Sequence, residues 1–134
     1  MDARQQTLAR TCLDAAETGA MTFPQIVGAL IEGGFESYLI DFRRAAAVYY
    51  LASGEALDLP APPAQAAIGA VFDVAALQAA IREAQTLAPG YSYRGFCAKA
   101  QAAGCAGYMV SFPGRRAVYV ARSGATHTEH FPPD

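Results

Sequence analysis

Displacing the sequence by 70 positions lays its second half on its first without a gap, and this internal repeat constrains the fold more than any other feature. Gly34 falls on Gly104, Tyr38 on Tyr108 and Phe42 on Phe112. Ala47-Val48-Tyr49 falls on Ala117-Val118-Tyr119, Ser53-Gly54 on Ser123-Gly124, and Pro62-Pro63 on Pro132-Pro133. Thr22 with Ser92, Phe23 with Tyr93, Leu39 with Met109 and Ile40 with Val110 are conservative pairs. Chance matches in an Ala-rich chain would be alanines. These are glycines, aromatics and prolines at turns and in alternating stretches.

Each half reads as the same series of elements. A helix is expected over 2–18 and again over 73–87, where Asp73 serves as N-cap and Val74, Leu77, Ile81 and Ala84 form an apolar stripe. Leu8, Cys12 and Ala16 take that part in the first half. A second helix opens at Thr22, with Gln25 completing a capping box and Pro24 tolerated in the first turn. Gly33-Gly34 stops it, and its counterpart runs from Ser92 to Gly104. Strands follow at 35–42 and 105–112. Tyr38, Ile40 and Phe42, like Tyr108, Val110 and Phe112, share one parity and are expected beneath the helices. Return strands at 46–52 and 116–122 lead to short third segments at 55–59 and 125–131, and 60–63 links the halves. The fold class is therefore α+β: one domain over 1–134, a tandem duplication (repeats 1–64 and 71–134) of a helix-helix-strand-strand(-strand) unit. One antiparallel sheet of four to six strands would carry the helices on one face about a pseudo-twofold axis. The strand order across that axis is left open.

The totals narrow the functional classes. With 53% hydrophobic and 16% charged residues, the 134-residue chain has a globular composition. A net charge of −2 and a single lysine, Lys99, argue against nucleic acid as a partner. No apolar run reaches the roughly 18–20 residues of a membrane span, and the opening residues lack the pattern of a secretory signal. Three scattered cysteines, Cys12, Cys97 and Cys105, do not make a disulfide framework. A cytoplasmic location with no membrane partner is the consistent expectation.

Residues with chemical potential are few. His127, Glu129 and His130 lie together, but histidines three apart on a strand point to opposite faces, so no metal site is expected. Cys97, early in a helix that starts at Ser92, is the candidate nucleophile; packing beside Phe96 and Ala100 makes a buried, inert thiol the plainer reading. Cys105 and Cys12 read as core filler. Arg43-Arg44 and Arg115-Arg116 flank equivalent hairpin turns, either as solvated turn residues or as a twinned anion site. Neither a nucleotide-binding glycine loop nor a nucleophile elbow is present, and no cofactor is expected.

The second half resembles the YbcV/YdfO-like family of short bacterial and prophage proteins, some labelled phage envelope-like. The likeness is carried by Tyr93-Arg94-Gly95-Phe96-Cys97, Ala103-Gly104, Tyr108-Met109-Val110 and Tyr119. Gly33-Gly34-Phe35, Tyr38 and Tyr49-Tyr50-Leu51 extend it more loosely into the first half. The resemblance implies an α+β fold with internal duplication and brings no activity or catalytic residue. The family often has an acid where this chain has Ser111; Asp41 holds the equivalent place in the first half. The abundance of Ala, Arg and Pro also suits a bacterial gene of high GC content.

The expectation that follows is a non-enzymatic binding or interaction protein, the alternative being a thiol-dependent or ligand-transforming enzyme using Cys97. Function is expected on the sheet face away from the helices, near the pseudo-twofold axis. That face would carry Leu39 and Met109, with Ser37, Asp41, Gly107 and Ser111 among them. If the return strands keep the same register, Tyr49, Leu51 and Tyr119 join it. A homodimer is the first use expected for such a face, and a small ligand across the axis the second. The competing possibility is that the third strands, the linker or the C-terminal tail cover it.

Overall fold

Capping side chains open all four helices of the computed structural model, which describes residues 1–132. Asp2 caps α1 (Ala3–Thr18) and Thr22 caps α2 (Phe23–Glu32), each in a reciprocal capping box with Gln5 or Gln25. Asp73 caps α3 (Val74–Thr86) and Ser92 caps α4 (Tyr93–Ala102). Gly34 and Gly104 then reverse the chain at φ of 95° and 93°, in the left-handed region that favours glycine, and deliver it from α2 or α4 into a strand.

The strands are β1 (Phe35–Asp41), β2 (Ala46–Leu51), β3 (Ala56–Pro60), β4 (Cys105–Ser111), β5 (Arg116–Ala121) and β6 (Thr126–His130). They form one antiparallel sheet in the order β3-β2-β1-β4-β5-β6. Helices precede strands in both units, and β2 and β5, like the other strand pairs, begin and end 70 residues apart. Pro133, the counterpart of Pro63, lies outside the described residues.

The two units meet at β1 and β4, where Leu39 is opposite Met109, Tyr38 opposite Val110 and Ile40 opposite Tyr108. Leu39 and Met109 are themselves the 70-residue counterparts, so the axis relating the units passes between them. Ring geometry follows the same symmetry. Tyr38 stacks on Tyr49 at 5.5 Å and 30°, and Tyr108 lies on Tyr119 at 5.2 Å and 33°. Across the axis, Tyr38–Phe112 and Phe42–Tyr108 sit 6.1 and 6.0 Å apart, both at 60°.

The core lies between the sheet and the helices. Tyr38, Ile40, Phe42, Tyr108, Val110 and Phe112 are all buried there, as their parity requires. The stripe of α1 is centred on Ala9, Cys12 and Leu13, with Leu8 and Ala16 on its flank, a small rotation from the sequence expectation. Residue Glu36 makes β1 bulge between Phe35 and Ser37, and Ala106 makes β4 bulge at the equivalent place. Each bulge turns the first residue of its strand, Phe35 or Cys105, inward.

Candidate functional site

The hairpin turns decide which residues reach the open face of the sheet. The carboxylate of Asp41 accepts from the backbone N–H of Arg43 and of Arg44 at 3.0 and 3.1 Å, ending β1 one residue before Phe42. Ser111 does the equivalent work with its hydroxyl, which accepts from Gly114 N–H at 3.0 Å. Residues 42–45 and 112–115 are therefore the loops, closed by Ala45 and Arg115 at φ of 51° and 50°. Asp41 pairs with Ala46, and Leu39 with Val48.

This corrects the expected open face. A strand reaching Phe42 would have left a three-residue loop and set Tyr49 beside Leu39; the longer loop shifts the register by one. Tyr49, Leu51 and Tyr119 stand on the helix side instead, Tyr49 opposite Tyr38 and Tyr119 opposite Tyr108. Val48, Tyr50, Val118 and Val120 take their places on the open face.

Four neighbouring strands thus contribute the row Val48, Leu39, Met109 and Val118, centred on the pseudo-twofold axis. The row spans about 15 Å at ordinary strand spacing. Leu39 is 36% exposed and Met109 38%; beside them Val118 is half-buried and Val48 buried. Neither β3, β6 nor the linker crosses this face: β3 and β6 extend the sheet sideways, and the linker hydrogen-bonds to α4 on the other side. Polar groups border the row unequally. Asp41 and Asp58 lie on the first unit's half, and Arg116 and His130 on the second's.

The other candidates fall elsewhere. His127 lies opposite Tyr119 on the helix side, and its Nε2 is 2.9 Å from Glu129; His130, opposite Arg116, is on the open face. Among the described residues no three metal-ligating side chains gather. The arginine pairs cannot form one anion site, because β1 and β4 run antiparallel and put their turns at opposite ends of the sheet. Arg44 meets Asp58 at 3.4 Å, while Arg115 lies over the Phe131 ring and donates to the Pro132 carbonyl.

Cys97 lines a cleft on the helix side, between α1 and α4 and beneath the linker, beside Glu17, Tyr93 and Arg94. Burial pushes its thiol up to about 12, with the Tyr93 hydroxyl acting downward and Glu17 and Cys105 upward. At neutral pH it is a thiol, not a nucleophilic thiolate. Cys12 and Cys105 are fully buried in the core. Sequence reasoning missed Val48, Val118 and the Glu17–Arg94 pair. The signal for the valines was the loop length, and for the pair the unequal chemistry of matched positions.

No protein-family model matches the chain, and no curated protein sequence matches it.

Proposed function

We propose that this chain is a non-enzymatic interaction protein that pairs with a second copy of itself through the open face of its sheet. The observation that carries the reading is the apolar row of Val48, Leu39, Met109 and Val118 lying across the pseudo-twofold axis. Water against such a row is costly, and stacking a second sheet about 10 Å away removes it. Six strands of five to seven residues make a face of roughly 24 by 20 Å. That is about 500 Å² in projection, a corrugated surface on the scale of the ~800 Å² per partner of a standard interface.

Charge placement favours one arrangement. A twofold axis parallel to the strands lays the first unit of each copy over the second unit of its partner. Asp58 then lies over the edge strand that carries His130 and not over a second Asp58, Asp41 and Arg116 remain at opposite ends of the strands, and the apolar rows overlie one another across the axis. Exposed ion pairs add little affinity but set orientation. The raised thiol of Cys97 speaks against thiol-dependent catalysis at neutral pH. A place in the YbcV/YdfO-like family is part of this reading and adds no activity to it.

The test is the oligomeric state of Leu39→Asp and of Met109→Asp, each alone. In the monomer both side chains reach solvent, so the fold persists by circular dichroism. At the centre of the stacked faces an unpaired carboxylate is desolvated, and the dimer dissociates. Dimers that survive both substitutions rule out this face.

A further inference from the structure

The helices α2 and α4 hold the same place in their units, yet one face of α4 is covered and its counterpart on α2 is bare. On α4 the face is the stripe Tyr93, Cys97 and Gln101, spaced one helical turn apart. Ala61, Pro62, Pro63 and Gln65 of the linker line one cleft with these three residues. The Gln101 carboxamide oxygen fastens the linker there, accepting from the N–H of Gln65 and of Ala66 at 3.0 and 3.1 Å. Seventy positions earlier the stripe becomes Phe23, Val27 and Ile31, apolar throughout. Phe23 is 44% exposed and Ile31 52%, with Val27 half-buried between them.

Two further features mark the α2 stripe as a place where another main chain can lie close. Gly28 stands beside Val27 in the middle of the helix, where α4 has Ala98, and glycine there weakens a helix relative to alanine. A Cβ added at Gly28 would meet nothing within 4 Å, so the fold of the chain itself does not require the glycine. At the start of the stripe Phe131, the counterpart of Ala61, packs edge-on against Phe23 at 5.8 Å. The chain thus already touches α2 where the linker begins its path on α4.

The chemistry of an occupant follows from what differs between the two stripes. The segment on α4 is Ala-Pro-Pro-Ala-Gln-Ala over 61–66, and its last two N–H groups are paired by Gln101. The Ile31 side chain accepts no hydrogen bond, so N–H groups at that place would lose water without gaining a partner; proline has no N–H to lose. Glu17 and Arg94, which border the α4 stripe, are replaced by Leu87 and Pro24, so the matched positions carry no charge. An aromatic ring at Phe23 suits the flat face of a proline.

We infer that the stripe Phe23, Val27 and Ile31 is a docking surface for an extended, uncharged, proline-rich segment of a partner protein, laid along α2 as the linker is laid along α4. Its proline rings pack on Phe23 and Ile31 and its main chain passes over Gly28. Proline presets the extended conformation, so little ordering entropy is lost on docking. The stripe lies on the helix side of the sheet, away from the proposed dimer face, so either proposal can fail without the other.

The experiment is a titration of the isotope-labelled full chain with acetyl-Ala-Pro-Pro-Pro-Pro-Ala-amide, followed by amide chemical shifts. A peptide of equal length with alanine in place of every proline is the control. Expected are saturable shifts confined to 23–31 and Phe131, with 93–101 unmoved beneath its own linker and the control at least about tenfold weaker. Gly28→Leu and Ile31→Asp, each at an exposed position and each folded by circular dichroism, weaken binding at least about tenfold. Absent saturation, equal binding of the control, or binding that survives both variants overturns the inference. So do shifts of the same amides on concentrating the chain alone, which would assign the stripe to a second copy.

Discussion

Between α4 and β4, the hydroxyls of Tyr93 and Tyr108 meet at 2.6 Å in a buried setting, which makes a sharp test of how helix and sheet are joined. Replacing either tyrosine by phenylalanine keeps the ring and leaves the other hydroxyl short of a partner, at about 1–3 kcal/mol. The two losses are unequal. After Tyr108→Phe, the Tyr93 hydroxyl still has the Cys97 sulfur as a weak neighbour, so this variant falls at the low end. After Tyr93→Phe, the Tyr108 hydroxyl keeps no hydrogen-bond partner among the described residues, and the cost is at the high end. In the double variant both hydroxyls are gone and the rings stay packed against Phe96, so it loses only about 1 kcal/mol or less. The coupling is therefore favourable to the double variant by about 2–3 kcal/mol. Urea unfolding at constant slope measures it, with roughly 3–5 °C in Tm for each kcal/mol. A double variant whose loss equals the sum of the single losses refutes the reasoning.

Other outcomes follow from the same structure. Gly107→Ala places a Cβ 2.4 Å from the Ile40 carbonyl oxygen and costs about 1–3 kcal/mol by urea unfolding, whereas Ser37→Ala at the equivalent position changes little; comparable midpoints contradict this. Raised to about 12 from an ordinary 9.0, the Cys97 thiol carries roughly a thousandth of the usual thiolate, so native protein reacts with a thiol reagent far more slowly at Cys97 than unfolded protein does. Equal rates would revive the thiol-enzyme reading. Burial also raises Tyr38, Tyr49, Tyr93, Tyr108 and Tyr119, so folding holds their protons more tightly than the unfolded chain. Stability is then whole below about pH 9 and lost as pH climbs past 10 toward the folded values. A urea midpoint independent of pH from 8 to about 11.5 contradicts it.

Much of the architecture was legible because the repeat reads the chain twice. Alternation at Tyr38, Ile40 and Phe42 was reinforced by Tyr108, Val110 and Phe112, and Ser92 confirmed where Thr22 had placed a helix start. The return strands escaped because parity there hangs on a single residue of loop length. Asp41 and Ser111 decide that length by bonding loop N–H groups, an interaction that composition at Arg43-Arg44 or Pro113-Gly114 does not announce. Strand order escaped as well, since either edge of each strand set offers an open ladder to the other. The polar cleft left a trace in the sequence, but a different one from the repeat. It appears in the matched positions that disagree, Glu17 with Leu87 and Arg94 with Pro24, where attention to agreement passes over them.

Sedimentation velocity of the unmodified chain over a wide concentration range, with Met109→Asp run beside it, tests the open-face proposal most directly. The account predicts that the 14.1 kDa chain converts to a species of twice its mass as concentration rises, and that Met109→Asp stays at the monomer mass throughout. A native chain that remains monomeric up to its solubility limit, or a dimer that forms equally well with aspartate at 109, contradicts it.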